Sequence, residues 1–191
     1  MRAHLWTLLL PVLAACGGAN DPAALSETKS GAECKDEAAS CGEIAELRDV
    51  REIRLEETAC YGSCPIFAFT VTSGGEGEYD GKGFVAVRGK RSFAATPRQF
   101  AAFARRLEPF RPRRKAVYDE ETCDGRVLTD APTVLVTWVG SDGTDELRWY
   151  LGCRQPGYAA NAEALLDAWR ELPVAELIGT RENRFEYEPD A

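Results

Sequence analysis

The sequence predicts an α+β domain, with an antiparallel sheet of about five to six strands and two helices packed on one face. Three observations carry that expectation. Strand-like segments arrive in hairpin pairs, where a parallel sheet would alternate each strand with a helix. Two segments place apolar residues at helical spacing next to recognisable start or stop signals. The stretch from residue 50 to 179 is long enough for one core and shows no internal repeat and no second domain.

The first strand covers residues 52–57, where Ile53 and Leu55 alternate with charged residues onto one face. The second covers residues 66–72, in which Phe67, Phe69, Val71 and the threonines favour a pleated, half-buried surface. Ser73-Gly74-Gly75-Glu76-Gly77 is a turn, and residues 76–81 (EGEYDG) and 83–89 (GFVAVRG) extend the meander by two strands. Thr96, Pro97 and Gln99 supply an N-cap, an N1 proline and the N3 member of a capping box. Phe100, Phe103, Ala104 and Leu107 follow on one helical stripe. Beyond a loop of roughly two dozen residues, residues 133–139 (TVLVTWV) and 146–151 (ELRWYL) flank Ser141-Asp142-Gly143-Thr144 as a hairpin. Residues 159–172 align Ala162, Leu165, Leu166 and Trp169, forming a second helix ended by Pro173.

The chain opens MRAHLWTLLLPVLAACGG, with one basic residue, a short apolar run and then small residues. This is a signal peptide over residues 1–15, too short to span a bilayer. Leu13-Ala14-Ala15-Cys16 resembles the lipobox of bacterial lipoproteins, which implies that Cys16 receives a diacylglycerol group and a further acyl chain such as palmitate. An ordinary secretory cleavage would instead leave Cys16 as a free thiol. Several acyl chains anchor stably, each buried methylene adding about 0.8 kcal/mol. Gly17 stands where an inner-membrane lipoprotein carries a retaining aspartate, so the expected address is the outer membrane, with the domain facing the periplasm. Residues 16–49 read as a flexible tether, 50–179 as the single domain and 180–191 as an acidic tail.

Removing residues 1–15 takes Arg2 from the 23 basic residues and leaves all 31 acidic ones, a net charge of about −9. Such a chain is a poor binder of nucleic acid, whose phosphates select basic surfaces. The same cleavage removes His4, the only histidine. No Ser or Cys triad is then available. Neither a G-x-S-x-G elbow nor a phosphate-binding loop occurs, so no catalytic residue and no cofactor is expected.

Six cysteines follow Cys16: Cys34, Cys41, Cys60, Cys64, Cys123 and Cys153. An even number in an exported chain reads first as disulfides, for which six thiols allow fifteen pairings. The stretch TACYGSCP (residues 58–65) is open to three readings. The spacing of its cysteines resembles that of the copper-carrying, thioredoxin-like Sco proteins, but their distant histidine ligand has no counterpart in the mature chain. A redox pair of Cys60 and Cys64 would want a helix N-terminus to lower the thiol pKa, and residues 66–72 are a strand. A plain bridge closing a tight turn needs only Gly62 at positive φ and Pro65 opening the next strand. For Cys123, a hairpin turning near Asp142 brings the flanking loop within reach of Cys153.

Two charged stretches complete the candidates. Asp119, Glu120, Glu121, Asp124 and Asp130 crowd one loop without calcium-loop spacing, which favours a solvated turn over a metal site. Arg105, Arg106, Arg111, Arg113, Arg114 and Lys115 form a basic run. It is either a helix end complemented by its dipole or a patch facing anionic lipid or an acidic partner.

The hexapeptide Cys60-Tyr61-Gly62-Ser63-Cys64-Pro65 lies between a short strand and an aromatic strand. Tyr79-Asp80-Gly81, the Phe-rich helix, Thr129-Asp130-Ala131-Pro132-Thr133 and a closing hairpin and helix follow in that order. Together they resemble the bacterial domain of unknown function 6438 over residues 51–172. The resemblance implies an exported or lipid-anchored protein of unassigned activity and leaves the function open. The lipobox, the tether, the compact α+β core and the missing catalytic residues lead to the expected function, non-catalytic binding or scaffolding of an unknown envelope protein or ligand, and the alternative is a thiol–disulfide redox protein or sensor using Cys60 and Cys64.

Overall fold

Strand alternation sets the middle of the molecule. In the computed structural model, which describes residues 50–185, β1 (Val50–Glu57) turns Ile53, Leu55 and Glu57 inward and Arg54 outward. β2 (Ile66–Thr72) and β3 (Glu76–Gly83) continue the antiparallel meander, burying Phe67, Phe69 and Val71 and then Tyr79. Gly77 is required where β3 meets β4 (Gly89–Ala94), because a Cβ there would stand 2.3 Å from the Phe93 ring. On the other flank, β7 (Thr133–Gly140) and β8 (Gly143–Tyr150) form the expected hairpin, and β7 pairs with β1. A short strand, β5 (Lys115–Tyr118), adds to β8 in parallel, giving a seven-stranded sheet ordered β4-β3-β2-β1-β7-β8-β5. A separate ribbon joins β6 (Arg126–Val127) to β9 (Cys153–Arg154).

One face of the sheet carries the core. α1 (Pro97–Leu107) starts at the capping box read from sequence, with the Gln99 N–H donating to Thr96 Oγ1 at 3.2 Å and the Thr96 N–H donating to Gln99 Oε1 at 2.9 Å. It buries Phe100, Phe103 and Leu107. α2 (Tyr158–Asp167) runs into a 3-10 turn, Ala168–Glu171, and contributes Leu165, after which the turn contributes Trp169. Burying side chains of this size removes roughly 2 kcal/mol of apolar exposure each. The opposite sheet face is polar, and its ion pairs Arg54–Glu52 (2.6 Å) and Lys82–Glu56 (2.9 Å) are exposed and add little stability.

The α+β class stands as expected, while the element count among the described residues is larger, at seven strands in the main sheet and three helices. The excess has local causes. Residues 83–89 do not form a strand: Phe84 adopts φ 49°, and the chain turns to dock on α3 (Val174–Ile178). Ala86 N–H donates to Ile178 O (3.0 Å) and Val87 N–H to Leu177 O (2.9 Å), so the alternating apolar residues pack beneath a helix. The true fourth strand, GKRSFA, is an edge whose exposure on both faces hides any period. β5 occupies part of the expected loop and is too short to announce itself. The chain also stays folded beyond Gly179, where an acidic tail was expected to begin. The Phe185 N–H donates to Val85 O at 3.1 Å, and Arg184 Nη2 donates to Gly179 O at 3.0 Å.

Candidate functional site

β1 delivers a carboxylic acid into the protein. Strand alternation that buries Ile53 and Leu55 also buries Glu57, which is 3 % exposed. Burial pushes its pKa up to about 8, with the Arg184 guanidinium pulling the other way. The carboxyl is therefore mostly neutral at pH 7.

Directly after Glu57, the backbone leaves the sheet. Thr58 holds the exit, its N–H donating to Thr133 O (3.0 Å) while its Oγ1 accepts from the Thr133 N–H (2.9 Å). The loop is closed by the Cys60–Cys64 disulfide, with Cα atoms 5.8 Å apart. Gly62, at φ 135°, supplies a turn that an L side chain rarely adopts. Tyr61 projects from the tip, 91 % exposed, and its N–H donates to Asp130 O at 2.8 Å. Asp130 itself sits at φ 61°, a left-handed conformation that aspartate tolerates better than most residues.

Glu57, both cysteines and Tyr61 open on one cleft of about 770 Å³. The cleft is also lined by β9, α2, the 3-10 turn and the last described residues, which bring Arg154, Arg170, Arg181 and Arg184 to it. Glu163 and Asp167 also line the cleft, and Asp167 is engaged by Arg170 Nε at 2.7 Å. The Arg170 guanidinium lies 4.8 Å from the centre of the Trp169 ring, a cation–π contact. Trp169 Nε1 and Arg184 Nε are both buried without an acceptor. With Glu57 neutral, cations outnumber anions in a cleft belonging to an acidic chain.

The other candidates are placed elsewhere. Cys123 and Cys153 form a second disulfide, with Cα atoms 5.7 Å apart, that ties the acidic loop to β9. In that loop Asp119 Oδ1 accepts from the Glu121 and Thr122 N–H groups, each at 3.1 Å, a local turn. No group of three or more His, Cys, Asp or Glu side chains is placed to hold a metal among the described residues. The basic run is divided: Arg106 pairs with Glu171 (2.9 Å), Arg111 with Asp145 (2.7 Å) and Lys115 with Glu146 (3.7 Å). Arg105 sits with Arg106 in the last turn of α1, and Arg113 and Arg114 lead into β5. Cys16, Cys34 and Cys41 lie outside the described residues.

Sequence reasoning missed Glu57 as a site residue, although its period-two position on the buried face was the available signal. The four arginines carry no such signal, because they are scattered from 154 to 184 and converge only through the fold. No described helix is long and apolar enough to cross a membrane. No curated protein and no solved structure matches the chain. The model of one family, described as Domain of unknown function (DUF6438), matches residues 51–170, which takes in β1, the cysteine loop, the sheet and α2, and the chain belongs to that family.

Proposed function

We propose that this protein is a lipid-anchored binding or scaffolding domain of the bacterial envelope, attached to the outer membrane through Cys16, facing the periplasm, and gripping an envelope partner at the cleft beside Cys60–Cys64. The single observation that supports binding there is the cleft itself. It is roomy, rimmed by Arg154, Arg170, Arg181 and Arg184, and flanked by the exposed aromatic Tyr61, the residue types that carry recognition energy at interfaces. Its cationic excess selects a partner that presents carboxylate or phosphate groups. The lipobox-like Leu13-Ala14-Ala15-Cys16 and the long tether support the address, and the absence of histidine from residues 16–191 favours binding over turnover.

Site-directed photocrosslinking in intact cells tests the binding face. A photoreactive side chain at position 61 is expected to give discrete adducts that weaken when Arg154 and Arg181 are changed to alanine. The same group at Ser92, on the opposite sheet face, is expected to give none. Equal adducts from both positions would remove the cleft from the proposal. Cys16→Ser is expected to move the protein from the membrane fraction to the soluble periplasm, and continued sedimentation with membranes would remove the anchor.

A further inference from the structure

We propose that Cys60–Cys64 is an exchangeable disulfide, that Glu57 gives and takes the proton its sulfurs need, and that its redox partner is a dithiol protein of the envelope. The activity goes beyond binding and rests on the geometry of the cleft. Both cysteines are half-buried, on a loop outside any strand, and they line the same cleft as the buried Glu57, whose charged neighbour is Arg184. A buried acid whose charged form is disfavoured by burial destabilises the fold that contains it, so packing gives no reason for Glu57. A proton donor beside a bond that breaks to a thiolate does give one.

The strand after Cys64 denies the pair the helix dipole that usually lowers a thiol pKa. Positive side chains do the same work by direct attraction. Arg184 acts on Glu57 from the C-terminal segment, and Arg154, Arg170 and Arg181 face the cleft from β9, the 3-10 turn and the residues after α3. Glu163 and Asp167 of α2 oppose them, and Asp167 is held by Arg170. A sulfur that leaves as an anion therefore departs into a cationic cleft.

The exchange balances as follows. A thiolate of the partner dithiol bonds to one cysteine sulfur, and the Cys60–Cys64 bond breaks. The other sulfur leaves with the electron pair and takes the proton from Glu57, which is restored from solvent. The partner's second thiol, deprotonated, then attacks the mixed disulfide, and the remaining cysteine leaves and is protonated. Two electrons and two protons pass to this protein, and the partner becomes a disulfide. In reverse, the Glu57 carboxylate accepts the proton.

The test follows reduction of the full chain by dithiothreitol, quenched by alkylation and resolved cysteine by cysteine by mass spectrometry, with Cys123–Cys153 as the internal standard. With rates expressed per dithiothreitol thiolate, Cys60–Cys64 is expected to react at least about tenfold faster than Cys123–Cys153, and to slow as the pH rises through Glu57's pKa near 8. Glu57→Gln is expected to be slower below pH 7 and flat with pH, and Glu57→Asp to regain part of the profile. Rates for Cys60–Cys64 no faster than for Cys123–Cys153, or a reduction potential no higher than that of Cys123–Cys153, would overturn exchange itself. An unchanged pH profile in folded Glu57→Gln would overturn the role of Glu57 while leaving the disulfide exchangeable. Neither result bears on partner binding at the cleft, which the crosslinks at position 61 read separately.

Discussion

Cys153 is 3 % exposed, pairs with Val127 in the β6–β9 ribbon and bonds to the half-buried Cys123, 30 residues away, whereas Cys60 and Cys64 are both half-buried and only 4 residues apart. Around the first bridge the backbone is closely tied. The Leu128 N–H donates to Gly152 O (2.8 Å), Tyr150 Oη donates to Leu128 O (2.6 Å), and a Cβ on Gly125 would stand 2.8 Å from the Arg154 backbone. Around the second, the loop tip leans on the Tyr61–Asp130 bond and projects its side chain into solvent. One bridge holds a long segment in place, and the other is displayed. The first also supports the second, because Asp130 belongs to the segment between β6 and β7 that the buried bridge and Tyr150 immobilise.

The largest expected effect comes from breaking the buried bridge. Closing a 30-residue span removes unfolded-state entropy worth on the order of 4 kcal/mol, so the double change of Cys123 and Cys153 to serine should lower the unfolding free energy by about that amount in urea titration. It should also speed hydrogen exchange at the Tyr61 amide, whose acceptor then loses its support. A Tyr61 amide as protected as in the parent would separate the two regions.

Glu57 sharpens the comparison next, because it burdens the displayed region alone. Its folded pKa, about 8, lies above the unfolded value near 4.5, so the folded state holds the proton that the unfolded chain releases between these values. The penalty is nearly absent below pH 4.5, grows as pH rises and is complete above pH 8. Between pH 5 and pH 8 the parent should therefore lose roughly 3 kcal/mol from this group, a loss that Glu57→Gln abolishes. Parallel stability curves for the two proteins over that window would show that Glu57 is not buried as described.

The division between these regions was partly legible in the sequence. The capping box at Thr96, the β7–β8 hairpin and the aromatic β2 each carry a local signal strong enough to survive folding. Residues 83–89 misled because alternation records burial and not its partner: Val85 is buried by α3, a five-residue helix too short to show a period. The arginine wall was illegible for a different reason. Arg154 sits on β9, Arg170 on the 3-10 turn, and Arg181 and Arg184 on the segment after α3, and only the packing of α2 and the return of the chain after α3 bring them to the cleft that Glu57 lines.

The smallest stability effect belongs to the displayed bridge. Cys60 and Cys64 are separated by 4 residues, and the loop-closure relation assigns so short a ring about 2 kcal/mol, half the value for the buried one. Changing both to serine should therefore leave the sheet and α1 folded, with urea midpoints closer to the parent than those of the Cys123–Cys153 variant. The local effect should be larger than the global one: Gly62 recovers conformational freedom, the Tyr61 amide exchanges faster, and crosslinking from position 61 weakens because the aromatic anchor is no longer held over the cleft. A stability loss as great as that of the buried bridge would mean that the loop is part of the fold's frame. The contrast between a locking disulfide and a displayed one would then fail, because the cleft wall carrying Tyr61 would be rigid with or without Cys123–Cys153.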